Sequence, residues 1–591
     1  MKTARTLSAV CLMAGLCLPS LLFSQATRTW YSQTFKIDTL YPATGSSGMS
    51  SPWEVAYGPD DSLWVTESMN YKIWKIHPGN KGVRLLLDMS GNKDFTASSV
   101  GLWPQGGLMG IAFHPQFNTG KPWVYIAYVY HVVSCPTTTC YCTTSPPCVY
   151  NTQIVRYNYN TASGKLTPMD TLTKNFPLQG SNDHNSGRIR ISPIPESDGA
   201  YHLYYTIGDM GAGNNNNNKY RTNYAQDTTV LQGKVLRLNT EPDAGQSGGA
   251  EWIPDDNPFP TGAAATAKTA IYSYGHRNPQ GLTFGSVNGG ASYILYSSEH
   301  GDKSDDEINI ILPHTNYGWP KVAGLCDDNY TTLPNDTMYL ASKPVMSETG
   351  FCDTAAMQEP IFSFYNWSRH ATDTSGAYSN NMNWPTVAPA SIAFYGNGYI
   401  PGWNYSLLVP TLKNGFFRLP LKSDGLSIDS AQTPTDTFHY LAGYRLRNIT
   451  IAPTGDTLFV AVDNSCCTLG PTGAIGNSIA SPATGFILRM VYLVTLALDT
   501  TSKPIVPSPP VPTCKVYPNP AHNTLYVQGS PTERRPWLAT LYDMTGNAVR
   551  QIQTMDESFS LDLHGLAKGI YVFRLINGDT LPLLTEKIWV E

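Results

Sequence analysis

The side chains of this chain that could do chemistry are two histidines beside acids, a set of cations, two amides and an indole. They are His184 with Asp183 and Asp209, His300 beside Glu299, the cations Arg277, Lys413, Arg445 and Arg447, the amides Gln105 and Asn278, and Trp384. An imidazole has an unperturbed pKa of ~6.5 and can take up or release a proton near neutral pH. Buried cations at one place suit a ligand carrying several carboxylates. Their positions follow a rule. Gln105, Asp183-His184, Arg277-Asn278, Trp384 and Arg445 with Arg447 stand at the start of the first strand of a repeated unit, and Asp209, Glu299-His300 and Lys413 follow the second strand. Neighbouring antiparallel strands bring those two loops to the same face, so these residues are expected to converge at one mouth.

The elements that must position them recur six times. Each copy has an apolar strand bounded by Pro or Gly, a second apolar strand, and a third that often carries Arg. The copies run Trp53 to Trp74, Leu108 to Arg156, Gly187 to Arg237, Gln280 to Ile311, Ala390 to Arg418 and Asn448 to Arg489. A strand-rich unit repeated every several tens of residues predicts an all-β chain whose residues 35–497 form a six-bladed β-propeller.

With 591 residues, the chain is long enough for such a domain and a smaller one. Charged residues are 14% of the total and the net charge is −5, so there is no electrostatic footprint for nucleic acid. Residues 1–24, with Lys2 and Arg5 before the apolar run Leu7 to Phe23, read as a secretory signal; Pro19 interrupts the run, and no transmembrane anchor is expected. Export through the periplasm to the surface or medium follows. Of eleven cysteines, Cys11 and Cys17 lie in that signal. The exported setting favours disulfides for the rest. Cys135, Cys140, Cys142 and Cys148 read as a stapled insertion rather than a metal site, because no His accompanies them. Cys326 and Cys352 are candidates to bridge the long insertion between the fourth and fifth repeats, and Cys466-Cys467 is a vicinal pair.

Residues 498–513 are rich in Pro and form an extended linker. Residues 514–591 alternate strands with Gly turns and predict a small C-terminal β-sandwich. The segments Tyr517-Pro-Asn-Pro520, Asp543-Met-Thr-Gly546 and Gly569-Ile-Tyr-Val572 resemble the C-terminal sorting domain of proteins exported by the type IX secretion system. That resemblance implies recognition by the type IX machinery.

A second resemblance covers roughly residues 50 to 495. Asp183-His-Asn-Ser-Gly-Arg188, Tyr205-Thr-Ile-Gly-Asp209, Tyr274-Gly-His-Arg-Asn-Pro-Gln-Gly-Leu282, Asn316-Tyr-Gly-Trp-Pro320 and Tyr444-Arg-Leu-Arg447 stand in order as in the soluble pyrroloquinoline-quinone (PQQ) glucose dehydrogenases. The resemblance implies oxidation of the C1 hydroxyl of an aldose to a lactone, by hydride transfer to calcium-bound PQQ. Electrons then pass to an external acceptor such as a cytochrome or a dye.

Carried over residue by residue, the resemblance makes His184 the base that takes the C1 hydroxyl proton. Asp209 orients it, and Arg277 stabilises the oxyanion on the reduced quinone. Asn278, His300, Thr386, Lys413, Arg445 and Arg447 are implied to hold the cofactor; Gln105, Asp183 and Trp384 to contact the sugar; and the backbone of Gly301 and Asp302 to bind Ca2+.

Three departures stand out: His300-Gly-Asp302 replaces a Gln-Gly-Pro turn, Asn381 replaces a Tyr, and Gly213 with Asn214 to Asn218 replaces a Gln-rich stretch. The alternative is a non-catalytic, extracellular carbohydrate- or protein-binding propeller, against which the joint presence of His184, Arg277, Lys413, Arg445 and Arg447 argues. The acidic run Asp305 to Glu307 reads as a solvated turn, and His114 as structural.

Overall fold

The structure is a computed structural model. It describes residues 26–42, 48–93, 106–132, 150–176, 178–181, 183–212, 222–259, 269–302, 304–328, 347–364, 386–413, 415–430, 438–464, 485–494, 515–528, 537–543, 547–556, 558–577 and 582–591. The signal segment, the linker, Gln105, Trp384, Asn381, the Gly213 to Asn218 stretch, and Cys135, Cys140, Cys142, Cys148, Cys466 and Cys467 lie outside the described residues. The chain divides into two compact units, Met1–Thr495 and Leu496–Glu591.

The described part of the first unit is nearly all strand, with one short α-helix, Glu348–Cys352, next to two 3-10 turns. Its strands make six sheets. Each begins with one strand of a sequence repeat: Pro52–Tyr57, Leu108–Phe113, Ile189–Ile191, Pro279–Gly285, Ala393–Tyr395 and Leu446–Ile451. The second and third strands add in antiparallel register, as in Val65↔Trp74 and Leu408↔Arg418. Sheet six is completed from the other end of the unit, where Gln33–Tyr41 pairs with Phe486–Leu493 (Thr34↔Leu493) and Ala26–Trp30 lies outside it.

Middle strands such as Leu63–Glu67 and Ser406–Pro410 are buried along their whole length, because both faces of each sheet meet a neighbour; the outer strand Val83–Asp88 is mostly exposed. Six apolar cores lie between the sheets. Trp64 meets Ile126, Tyr125 meets Leu203, Val235 meets Leu282, Ile308 meets Val409, Leu408 meets Val460, and Phe459 of sheet six shares a core with Val65 of sheet one. Burial of each such large side chain contributes about 1.5–3 kcal/mol.

In the second unit two sheets share one core. Val516, Leu525 and Leu561 of the three-stranded sheet pack with Trp537, Leu541, Phe573 and Ile588 of the four-stranded one. A disulfide joins Cys326 and Cys352. Among the described residues no helix is long and apolar enough to cross a membrane.

Candidate active site

His184 sits just ahead of Ile189–Ile191 in a left-handed conformation, φ 49°, and Ser186 repeats it at φ 56°. Such backbone is costly for non-glycine residues and holds only where neighbours enforce it. Here the enforcing contacts are local. Asn185 accepts the Ser181 amide at 2.7 Å and returns a bond to its carbonyl at 2.6 Å, and Asp183 Oδ1 accepts the His184 amide at 3.0 Å. The next strand, His202–Ile207, ends at Gly208, where a Cβ would lie 2.1 Å from the His184 carbonyl; glycine lets the Asp209 end of the strand approach.

Asp209 is fully buried, and its oxygens accept from four donors. Oδ1 takes His184 Nδ1 at 2.7 Å and the Gly211 amide at 2.9 Å, while Oδ2 takes Trp319 Nε1 at 2.8 Å and Asn223 Nδ2 at 3.1 Å. With donors on every side Asp209 acts as the acceptor, so the imidazole proton sits on Nδ1 and the Nε2 lone pair is the basic site. Asp183 Oδ1 lies 3.6 Å from that Nε2.

The same Trp319 ring lies 5.3 Å from the Arg277 guanidinium, and the Arg277 carbonyl accepts the Asp209 amide at 2.8 Å. Arg277 and Asn278 are aimed by Glu299, which accepts both of their amides and contacts His276 Nδ1 at 2.9 Å. Burial drives the Glu299 carboxyl up to about 8 and His276 down to about 3, so that imidazole is neutral at working pH. Asn278 Oδ1 accepts from Ser186 at 3.0 Å, tying it to the His184 turn.

Across the site, Lys413 donates to Thr386 Oγ1 at 2.6 Å, and its burial lowers its pKa to about 8 against the partial opposition of Asp306. Arg445 and Arg447 share Asp463, with Arg447 Nε at 3.0 Å, and Arg447 also donates to Gln280 Oε1 at 2.9 Å. Burial brings Arg445 down to about 10. Beneath them the fully buried Arg188 donates to the carbonyls of Gln280 and Ala390, both at 2.9 Å, and pairs with Glu54 at 3.2 Å. His300 is half-buried among these charges with its Nε2 enclosed; desolvation first, then Arg277, His184, Arg447 and Lys413, holds its imidazole well below its ordinary value. Arg277 Nη2 lies 3.3 Å from Asp302 Oδ1.

Asp305, Asp306 and Glu307 are buried, which corrects the expectation of a solvated turn. Asp305 accepts the hydroxyls of Ser304 and, at 3.0 Å, of Ser363, while Asp306 and Glu307 accept amides of the surrounding loops. Asp306 takes the amides of Gly301 at 2.9 Å, Val387 at 2.5 Å and Ala388 at 2.9 Å, and Glu307 takes that of Gly324 at 2.8 Å. Without these acids those amides would be buried with no partner. His114 is buried, with its pKa lowered to about 4 by burial.

His184, Asp209, Arg277, Asn278, His300, Gly301, Asp302, Thr386, Lys413, Arg445 and Arg447 thus lie in one network with Asp183 at its edge. Reasoning from sequence left out Trp319 and Asp463, although Asn316-Tyr-Gly-Trp-Pro320 stood among the matching segments. Two buried atoms of the network lack a partner. Among the described residues, neither His300 Nε2 nor Asp302 Oδ2 has a hydrogen-bond partner. No group of three or more His, Cys, Asp or Glu among the described residues could hold a metal, so a cation here must also use main-chain and ligand oxygens.

Residues 49–369 match the family described as Glucose / Sorbosone dehydrogenase. The quinoprotein glucose dehydrogenase B of Acinetobacter calcoaceticus is 31% identical over 481 residues, covering 76% of this chain and 90% of that protein. The chain belongs to the glucose/sorbosone dehydrogenase family. Within that family it is also similar to an aldose sugar dehydrogenase of Escherichia coli, 26% identical over 421 residues, 71% of this chain and 88% of that one. The solved PQQ-bound aldose sugar dehydrogenase of Streptomyces coelicolor is 24% identical, with a TM-score of 0.44, over 80% of this chain and 100% of that one. Residues 515–591 match the Secretion system C-terminal sorting domain, which marks this glucose/sorbosone dehydrogenase family member for export to the cell surface or medium.

Proposed function

We propose that the protein is a PQQ-dependent aldose dehydrogenase built on a six-bladed β-propeller and exported by the type IX machinery with a C-terminal β-sandwich as its sorting domain. The cyclic series of shared cores, ending with Phe459 against Val65, supports six blades closed into a ring. The observation that carries the activity is the His184–Asp209 pair at 2.7 Å, joined through Trp319 to Arg277 and facing buried cations.

The orphaned His300 Nε2 and Asp302 Oδ2, together with Lys413, Arg445 and Arg447, fit a small planar polycarboxylate and its cation. Asn278, His300, Thr386, Lys413, Arg445 and Arg447 would hold the quinone, and Gly301 and Asp302 its calcium. When bound, calcium-held PQQ supplies a two-electron acceptor for the hydride leaving sugar C1.

The chain's own residues do the rest. His184 Nε2 takes the proton of the C1 hydroxyl, Asp209 keeps the Nδ1 proton in place and stabilises the imidazolium, and Arg277 presents fixed positive charge where oxygen becomes negative. Asp183 lies beside Nε2, where it can accept a sugar hydroxyl; Gln105 and Trp384 complete the sugar contacts. The resulting lactone leaves, and electrons pass to an external acceptor. Purified protein reconstituted with PQQ and calcium, then given an aldose and an artificial acceptor, tests the reading. Calcium-dependent quinone binding with aldose-driven reduction of the acceptor supports it, and absence of quinone binding refutes it.

A further inference from the structure

Asp302 departs from the pattern its turn otherwise follows, and its surroundings say what the side chain is for. It is 4% exposed. One oxygen, Oδ1, faces Arg277 Nη2 at 3.3 Å, and the other, Oδ2, is buried with no hydrogen-bond partner among the described residues. A buried carboxylate oxygen left without a donor is expensive, on the order of 1–3 kcal/mol or more. Three donors of the turn and its neighbour already have other acceptors. The Gly301 amide goes to Asp306 at 2.9 Å, the His300 amide to the Asn278 carbonyl at 3.3 Å, and Arg277 Nη1 to the His300 carbonyl at 3.5 Å.

The turn is also rigid. A Cβ at Gly301 would meet the Ser304 carbonyl at 1.9 Å and Asp305 at 2.6 Å, so the backbone is packed tightly on the loop behind it. A tightly packed turn with one buried carboxylate oxygen unsatisfied offers an oxygen ligand to a cation.

We infer that the Asp302 side chain is itself a calcium ligand, through Oδ2, while Oδ1 stays paired with Arg277. The inference rests on the reading of this turn as a calcium site and deepens it. Main-chain carbonyls alone are neutral, and a divalent cation placed on them near Arg277 and Lys413 would depend on the carboxylates of an incoming ligand. A carboxylate supplied by the protein changes that: the chain binds calcium before any quinone is present. Ligand charge count is the main lever on calcium affinity.

The experiment is a calorimetric titration of calcium alone into quinone-free, chelator-treated full-length protein and its Asp302→Asn variant, with magnesium as the control ion. Thermal unfolding in chelator checks that the variant is folded, and Asp302→Ser serves in its place if it is not. The wild type is expected to bind one calcium ion in the absence of quinone, and the variant to bind it about tenfold or more weakly. Identical isotherms, or no calcium binding by quinone-free wild type, overturn the assignment of Asp302. A parallel titration of wild type with PQQ in calcium separates the two levels. Quinone binding there with identical isotherms removes Asp302 alone, whereas no quinone binding and no calcium binding remove the cofactor reading as well.

Discussion

Trp319 donates its indole N–H to Asp209 Oδ2 at 2.8 Å while its ring lies 5.3 Å from the Arg277 guanidinium. One side chain therefore sets both the acid that orients the base and the cation opposite it. Trp319→Phe keeps the ring and removes the bond. A hydrogen bond to a charged group contributes about 1.5–3 kcal/mol, so turnover is expected to fall about tenfold or more with the quinone still bound. Steady-state kinetics with a parallel quinone titration checks it; unchanged turnover would show that Asp209 needs no help from the indole.

The paired Arg188 and Glu54 lie below the cation cluster with 0% and 1% of their areas exposed. Arg188→Met leaves Glu54 with Arg190, at 2.6 Å, as its remaining ion pair and releases the Gln280 carbonyl. Breaking a buried pair from one side costs about 3–5 kcal/mol. Denaturant unfolding of the variant should show a loss below that figure, because Glu54 keeps Arg190 and the Ile111 amide, and weaker quinone binding should accompany it, because Gln280 holds Arg447.

The repeats, and with them the strands that carry the mouth, were legible in the sequence because each strand has its own apolar alternation and turn residues. The two outermost strands of sheet six were not: Ala26–Trp30 pairs with Gln33–Tyr41, and Gln33–Tyr41 pairs with residues 487–493 at the other end of the unit, a register that no local pattern encodes. The same holds inside the site. His184 and Asp209 stand at the ends of adjacent strands and could be matched by position, whereas Trp319 and Asp463 act through partners elsewhere in the sequence, Asp209 for the first and Arg445 with Arg447 for the second. Asp305 to Glu307 were misread because charge in sequence suggests solvent, while the Ser363 hydroxyl that meets Asp305 and the amides that meet Asp306 and Glu307 arrive from elsewhere in the chain.

Lys413 sets a pH dependence with two opposite signs. Its pKa in the folded protein, about 8, lies below the ordinary 10.5. The unfolded chain therefore binds more protons between those values. The lysine's contribution to stability is present above 10.5 and is lost as the pH falls through about 8. Binding of an anionic cofactor runs the other way, since it needs the charged lysine. Quinone affinity should fall above about pH 8 by up to about one decade per pH unit, with proton uptake on binding. Lys413→Met should bind more weakly and lose that slope. An unchanged slope in the variant would place the titrating group elsewhere.

Substrate choice follows from the departures at the mouth. Asn381 in place of an aromatic residue offers a sugar ring less apolar side chain, and the Gly213 to Asn218 stretch in place of a Gln-rich one offers shorter side chains, while His184 is kept. Several aldoses, disaccharides included, should be oxidised with high Michaelis constants, because a looser grip on the ring beyond C1 weakens uniform binding. Glucose, galactose, xylose, maltose and lactose assayed together should differ by less than about a hundredfold in kcat/KM, the span a single pocket contact can produce.

The most direct measurement is a single-turnover one: protein loaded with calcium and PQQ is mixed with excess aldose without acceptor, and reduction of the bound quinone is followed by its absorbance in wild type and His184→Ala. With His184 as the base, both proteins hold the quinone and the variant reduces it roughly 10² to 10⁴ times more slowly. Equal rates, or loss of the quinone from the variant, would contradict that role.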